Sequence, residues 1–314
     1  MLKKQIIIGS ILCLIASMSW GAMFPVAHIA MQQIDPFYFS FIRYFVVAVF
    51  LSVVLWMKEG RASFRLEGRG IILLFLGTMA FTVYNMCVFL GQQLMGESGT
   101  IAASIMEVLM PMIFIMVLWI TTKKAPNTST LISVAIALVG AFLVITKGNF
   151  SFFRMIGHHL VPLFFILIGV VGWVVYSMGG KRFKDWSILR YSTLTCLLGS
   201  AVSFIVVLLA SVFQWLPVPT WQTIWSIKYE MSFMIVLPGL AALLCWNLGL
   251  KLLSPLNGIL FINFVPITTF VIMALQGYKI STYELYGTLL IIFALIRNNI
   301  YQRKTMRLND NRAY

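Results

Sequence analysis

Ten apolar runs of about twenty residues divide this chain, and each is long enough to cross the roughly 30 Å hydrocarbon core of a bilayer as a helix. They fall near 6–28, 36–57, 70–91, 99–120, 128–147, 160–180, 187–212, 230–251, 255–275 and 282–301. The tightest separation is Lys251 to Ser254, where Pro255 supports a break; Pro238 predicts a kink inside the preceding run, because proline cannot donate in a continuing helix. The first run continues from Ile6 to about Val26 without a small-residue cleavage site, so it reads as a span and not as a removable signal. Composition agrees with this reading: 61% of the 314 residues are hydrophobic, 10% are charged, and the mean hydropathy is +0.94. A soluble domain carries about 25% charged residues, and lipid is the solvent that suits such a sequence. The fold class is therefore an all-α integral membrane protein of about ten transmembrane helices.

Charge distribution sets the orientation. With both termini cytoplasmic, seventeen Lys and Arg fall in inner segments and the tail, and four (Lys147, Arg154, Lys228 and Lys279) fall outside. Positive-inside topology predicts a bias of this kind, and an extra or missing span would scramble it. The formal net charge of +14 could otherwise point to nucleic acid, but the cations sit in short clusters between apolar runs and form no basic face. Trp56, Trp119, Trp186, Trp215, Trp221 and Trp225 fall near span ends or in loops, where amphipathic rings prefer to sit. The connections are short and leave no room for a soluble catalytic domain. The longest outer one, about 213–229, is rich in Trp and Pro and reads as lying along the membrane surface.

Cys13, Cys87, Cys196 and Cys245 all lie inside apolar runs without CxxC spacing, which argues against a disulfide framework or a zinc site; no cofactor is expected. Gly96-Glu97-Ser98-Gly99 matches the GxSG of intramembrane serine proteases. A serine nucleophile needs a base within reach, however, and neither His158 nor His159 falls inside a span. An enzyme is not expected; a membrane subunit without transport activity is the other alternative.

The two halves share landmarks in the same order. Trp20 has a counterpart in Trp173, Arg43-Tyr44 in Arg190-Tyr191, and Pro111 in Pro266. Five spans per half is an odd number, so the second half inserts upside down, giving a 5+5 inverted repeat with 1–150 as the first five-helix unit, 151–303 as the second and 304–314 as a cytoplasmic tail. Ser19-Trp20-Gly21, Pro111, Asn263-Phe264-Val265-Pro266 and this layout resemble the EamA type of the drug/metabolite transporter superfamily. The resemblance implies a permease or exporter of amino acids, nucleosides or related small metabolites in a bacterial-type plasma membrane. The expected partners are a small solute and the bilayer, with protons as a candidate coupling ion, no nucleic acid, and room for a homodimer.

Ionisable groups at membrane depth are costly and normally face the bundle interior. Arg43 and Glu107 both fall about 10–12 Å below the outer surface, and equal depth with opposite sign allows three arrangements: an ion pair that fixes helix register, an ion pair that serves coupling, or two groups that never meet. Asn263 is the approximate inverted counterpart of Glu107. Asn85 and Asn247, preceded by Tyr84 and Trp246, offer amide hydrogen bonds between helices or to a solute. Trp20, Trp173, Tyr176 and Trp246 lie away from the interfaces and read as core packing or as an aromatic-lined cavity. These ten residues are the candidate binding or coupling set; none is assigned a catalytic or metal-binding role.

Overall fold

The computed structural model describes residues 2–123, 128–148, 156–253 and 258–310. Among them every regular element is helical and no strand forms. The helices are α1 (Leu2–Ala30), α2 (Pro36–Glu59), α3 (Gly70–Leu94), α4 (Glu97–Thr121), α5 (Thr128–Thr146), α6 (Ile156–Gly179), α7 (Ile188–Val212), α8 (Lys228–Leu253), α9 (259–275) and α10 (Thr282–Asp310). Seven are long and apolar enough to cross a membrane, and α5, α9 and α10 carry shorter apolar stretches. The helices coincide with the ten apolar runs. α10 is the main departure in length, since helix continues to Asp310, past the end of the predicted span. Pro255 and the histidines His158 and His159 lie outside the residues whose side chains are described.

Local chemistry sets several ends. Asp35 accepts from the Phe37 N–H and Pro36 follows at the first helical position, starting α2. Ser187 does the same for α7 through the Arg190 N–H. Gly96 turns the chain from α3 into α4 at φ +60°, a backbone conformation that favours glycine. The outer faces of the bundle carry large exposed apolar side chains such as Phe45, Phe50, Ile71, Leu208 and Phe293. A protein in water would expose no such band, and lipid accounts for it.

Four helices are irregular, and the irregularities come in matched pairs. α3 is π-wound over Thr78–Tyr84, and α8 over Ile235–Ala241, where Pro238 sits. α4 tightens to a 3₁₀ turn at Glu107–Leu109 just before Pro111, and α9 does so at Ile259–Asn263 before Pro266. Each proline lacks an N–H and crowds the carbonyl four residues earlier, which explains the altered winding ahead of it. The packing is matched as well. α1 lies on α8 as α6 lies on α3, α1 meets α9 as α6 meets α4, and α2–α7 and α5–α10 pair across the two halves. Glycines permit the closest of these approaches: a Cβ on Gly77 would strike the Thr195 carbonyl of α7, and one on Gly140 would strike the Gly287 carbonyl of α10.

Candidate functional site

The carbonyls released by the irregular windings need donors, and the predicted site residues supply them. In α3 the Asn85 amide returns to the Ala80 carbonyl at 2.8 Å. In α8 the Met234 carbonyl accepts from Arg43 Nε at 3.1 Å, and the Pro238 carbonyl from the Trp20 indole at 3.2 Å. A π-wound segment in each half is thus tied down by side chains that the sequence had singled out for other reasons. Buried polar groups hold their place by such bonds.

These contacts gather the candidates into one cluster. The Trp20 ring stands 5.0 Å from Trp173 and 5.1 Å from Trp246, edge to face. Trp173 also meets Tyr84 at 5.1 Å and Tyr176 at 5.3 Å. Tyr84 donates to Glu107 Oε1 at 2.8 Å. Asn247 gives its amide hydrogens to the Tyr176 hydroxyl and the Ser192 hydroxyl, at 2.9 and 2.8 Å. Arg43 reaches Asn85 Oδ1 at 3.5 Å and Met23 Sδ at 3.3 Å, with its guanidinium 4.6 Å from the centre of the Tyr44 ring. Seven of the ten candidates are linked in this way, and the Arg43–Asn85 pair joins them through the rings of Tyr44 and Phe81. Asn263 is the tenth; it closes the 3₁₀ turn of α9, which packs against the 3₁₀ turn of α4 that Glu107 opens.

The expected Arg43–Glu107 ion pair does not form. Both side chains are buried, at 0% and 1% exposure, yet no salt bridge joins them. Tyr84 and Asn85, consecutive on α3, hold one each. Depth along the membrane normal, the basis of that expectation, carries no information about the lateral position of the two helices. The cluster also leaves polar atoms unsatisfied: Arg43 Nη2, Glu107 Oε2, Trp173 Nε1 and Asn263 Oδ1 are buried with no hydrogen-bond partner among the described residues.

Sequence reasoning missed several members. Tyr44, Phe81 and Tyr191 are among them; with the predicted Tyr176 they form a continuous ring path from α2 to α7, with centroid steps of 4.9, 5.6 and 5.4 Å. The repeated Arg-Tyr pair was the available signal, but it drew attention to the arginines. Their fates differ: Arg43 is central, whereas Arg190 leaves the cluster and donates to Glu67 Oε1 at 2.7 Å. Ser177 and Ser192, which receive Trp246 and Asn247, gave no signal, since serine is common in packed membrane helices.

A cavity of about 650 Å³ opens at the end of the bundle that carries most of the arginines and lysines, between the ends of α6, α7 and α8. Trp186 and Ser187 in its wall also bind the first half: the Trp186 indole donates to Glu67 Oε2 at 2.9 Å and Ser187 to Glu59 at 2.6 Å. Beside them Arg69 forms a two-pronged pair with Asp185, 2.9 Å on each arm. Arg190 and Trp186 hold the Glu67 carboxyl below its ordinary range, and Arg69 does the same for Asp185. Ser98, of the GxSG stretch, donates to the Met95 carbonyl at 2.9 Å.

The sequence profile of the EamA-like transporter family matches residues 7–146 and 160–299. The chain is 55% identical over 304 residues to the uncharacterized transporter YrdR of Bacillus subtilis, covering 97% of this chain and 95% of that protein. It is 26% identical over 280 residues to the uncharacterized transporter YyaM of the same organism, covering 88% of each. One solved crystal structure superposes with a TM-score of 0.67 at 15% identity, covering 95% of this chain and 98% of that one, which shows a shared fold.

Proposed function

We propose that this chain, which belongs to the EamA-like transporter family, carries a small metabolite such as an amino acid, a nucleoside or a drug-like compound across a bacterial plasma membrane by alternating access. The solute path runs between α1–α4 and α6–α9, and the two halves, 1–150 and 151–303, rock against each other as inverted repeats with both termini and the 304–314 tail in the cytoplasm. The matched packing of α1–α8 with α6–α3, and of the paired broken helices, supports the inversion.

One observation carries this reading. Glu107, Arg43 and Trp173 each contribute to the buried interior an atom, a carboxylate oxygen, a guanidinium nitrogen and an indole N–H, that lacks a partner among the described residues. Leaving such groups unsatisfied costs about 1–3 kcal/mol each, and more for charged ones, so an occupant that completes them is favoured to bind there. The rings of Trp20, Trp173, Tyr84 and Trp246 supply the apolar wall that fits a planar or apolar body. Glu107, bonded to a neutral phenol and not to a cation, is the group placed to exchange a proton during the cycle.

Purified protein in proteoliposomes tests the proposal. Gradient-driven uptake of a solute found by a tolerance screen on overexpression is expected, with flux abolished by Trp173→Ala at preserved folding. Cysteine crosslinks that close both mouths of the path and leave flux intact would overturn the rocking mechanism.

A further inference from the structure

The cavity at the basic end lies beside the indole rings of the central cluster and meets the cluster at Asn247, Ser177 and Tyr191, and its walls are chemically ordered. Three helices border it, and at each a mouth residue is followed one turn deeper by a hydrogen-bonding one: Lys181, in the 3₁₀ turn that ends α6, then Ser177 on α6; Ser187, which caps α7, then Tyr191 on α7; and Lys251 then Asn247, both on α8. Four residues of helix separate the members by about 6 Å. Lys181, Lys184 and Lys251 put three positive charges around the opening, and no Asp or Glu lines it among the described residues. The nearby carboxylates are already engaged, Asp185 by Arg69 and Glu67 by Arg190 and Trp186. A cleft walled by one sign of charge concentrates the opposite sign.

Phe183 and Trp186 give the cavity an aromatic wall that Tyr191 continues inward, and one turn from the mouth Ser177 and Asn247 make its deep end polar. That polarity runs against a lipid occupant, whose acyl chains would have to lie deepest. It suits a soluble molecule that is anionic at one end, flat and apolar in the middle, and able to hydrogen-bond at the other. Asn247 at the deep end is bonded to Tyr176, whose ring meets Trp173, so an occupant would stand one side chain away from the central cluster.

We propose that this cavity binds a small organic anion, its carboxylate or phosphate held by Lys251 with Lys181 and Lys184 and its flat body against Phe183, Trp186 and Tyr191. The site is a cytoplasmic vestibule for solutes of that class. The inference goes beyond the transport reading, and because its test is equilibrium binding without flux, the two can fail independently.

Fluorescence quenching of the full chain in zwitterionic nanodiscs provides the test, with 4-hydroxy-3-iodobenzoate as the probe. The quenching that disappears in Trp186→Phe is expected to saturate. Its apparent Kd should rise about tenfold in the Lys181→Gln, Lys184→Gln, Lys251→Gln triple variant. The neutral 4-hydroxy-3-iodobenzyl alcohol should not saturate, and unlabelled 4-hydroxybenzoate should compete. Equal quenching by the alcohol, or an unchanged Kd in a triple variant that melts like the parent, would overturn the proposal. A site that saturates with no soluble anion and is instead competed for by added phosphatidylglycerol would also overturn it, assigning the lysines to a lipid headgroup. Reading the melting profile of every variant separates lost binding from lost folding.

Discussion

The Tyr84 hydroxyl donates to Glu107 at 2.8 Å, so this buried carboxylate is held by a neutral phenol and not by the buried Arg43. An ion pair resists protonation, because adding a proton destroys it, whereas a carboxyl bonded to a phenol can gain a proton and keep a hydrogen bond.

Glu107→Gln therefore preserves the Tyr84 contact and removes only the titration. Flux through the variant is expected to lose its dependence on pH, while the melting temperature in detergent stays within a few degrees of the parent. Flux that tracks pH unchanged in a well-expressed variant would take Glu107 out of coupling.

Arg43 has a different task. It caps the Met234 carbonyl freed by the π-wound stretch of α8 and reaches Asn85 on α3, so it stitches α2 to the irregular segments of both halves. Lysine offers a point charge and cannot make both bonds in the fork geometry of a guanidinium. Arg43→Lys is expected to cost about 1–3 kcal/mol of stability, seen as a lower melting temperature, with Arg43→Met no worse once the buried charge is gone. A lysine variant as stable as the parent would show that the stitch is dispensable.

How much of this was legible in the sequence follows from what each signal measures. Hydropathy reports burial in lipid along the chain, so the ten apolar runs and the irregular winding at Pro238 could be read directly. The intramembrane polar and aromatic residues were legible because each is costly to place, and the structure links nine of the ten in a single cluster. Partnership was not legible. Arg43 and Glu107 read as sharing a depth but sit on helices whose lateral neighbours only tertiary packing decides, and Tyr84 engages Glu107 as a donor while Asn85 engages Arg43 as an acceptor. The cavity at the basic end was also hidden, since Lys181, Lys184 and Lys251 looked like ordinary topology signals in separate loops.

Helix contact through small residues gives a third prediction. Gly77 of α3 lies against the backbone of α7 at Thr195 and Gly199, so any side chain there must push two helices apart. Gly77→Leu is expected to destabilise the protein by about 1–3 kcal/mol or to prevent its accumulation, whereas Gly180→Ala, where a Cβ would meet nothing closer than the Tyr191 ring at 3.5 Å, should leave packing unchanged. Expression level and melting temperature of the pair decide it. A Gly77→Leu protein that accumulates and melts normally would mean that α3 and α7 do not touch as described.

The last prediction concerns the contacts that tie the two halves together at the basic end. Glu67, in the α2–α3 connection, accepts from Arg190 at 2.7 Å and from the Trp186 indole at 2.9 Å, while the Arg190 guanidinium lies 3.8 Å from the centre of the Trp186 ring. Both Glu67 and Asp185 are held below their ordinary carboxylate range by these partners. A carboxylate with a depressed folded-state value contributes fully above its unfolded value, near 4 by type, and loses that contribution as pH falls through the lower folded value. The contacts should therefore be intact at neutral pH and loosen only in strong acid, and salt should weaken them because they are exposed. Hydrogen exchange in the 60–69 segment is the direct measurement: it should be slow at neutral pH and low salt, faster in high salt, and faster again in Glu67→Gln. Swapping the charges, as Glu67→Arg with Arg190→Glu, should restore part of the protection that either single change removes, since the coupling belongs to the pair. If the double variant exchanges as fast as the sum of the singles, the halves are held at this end by packing alone and the ion pairs merely decorate it.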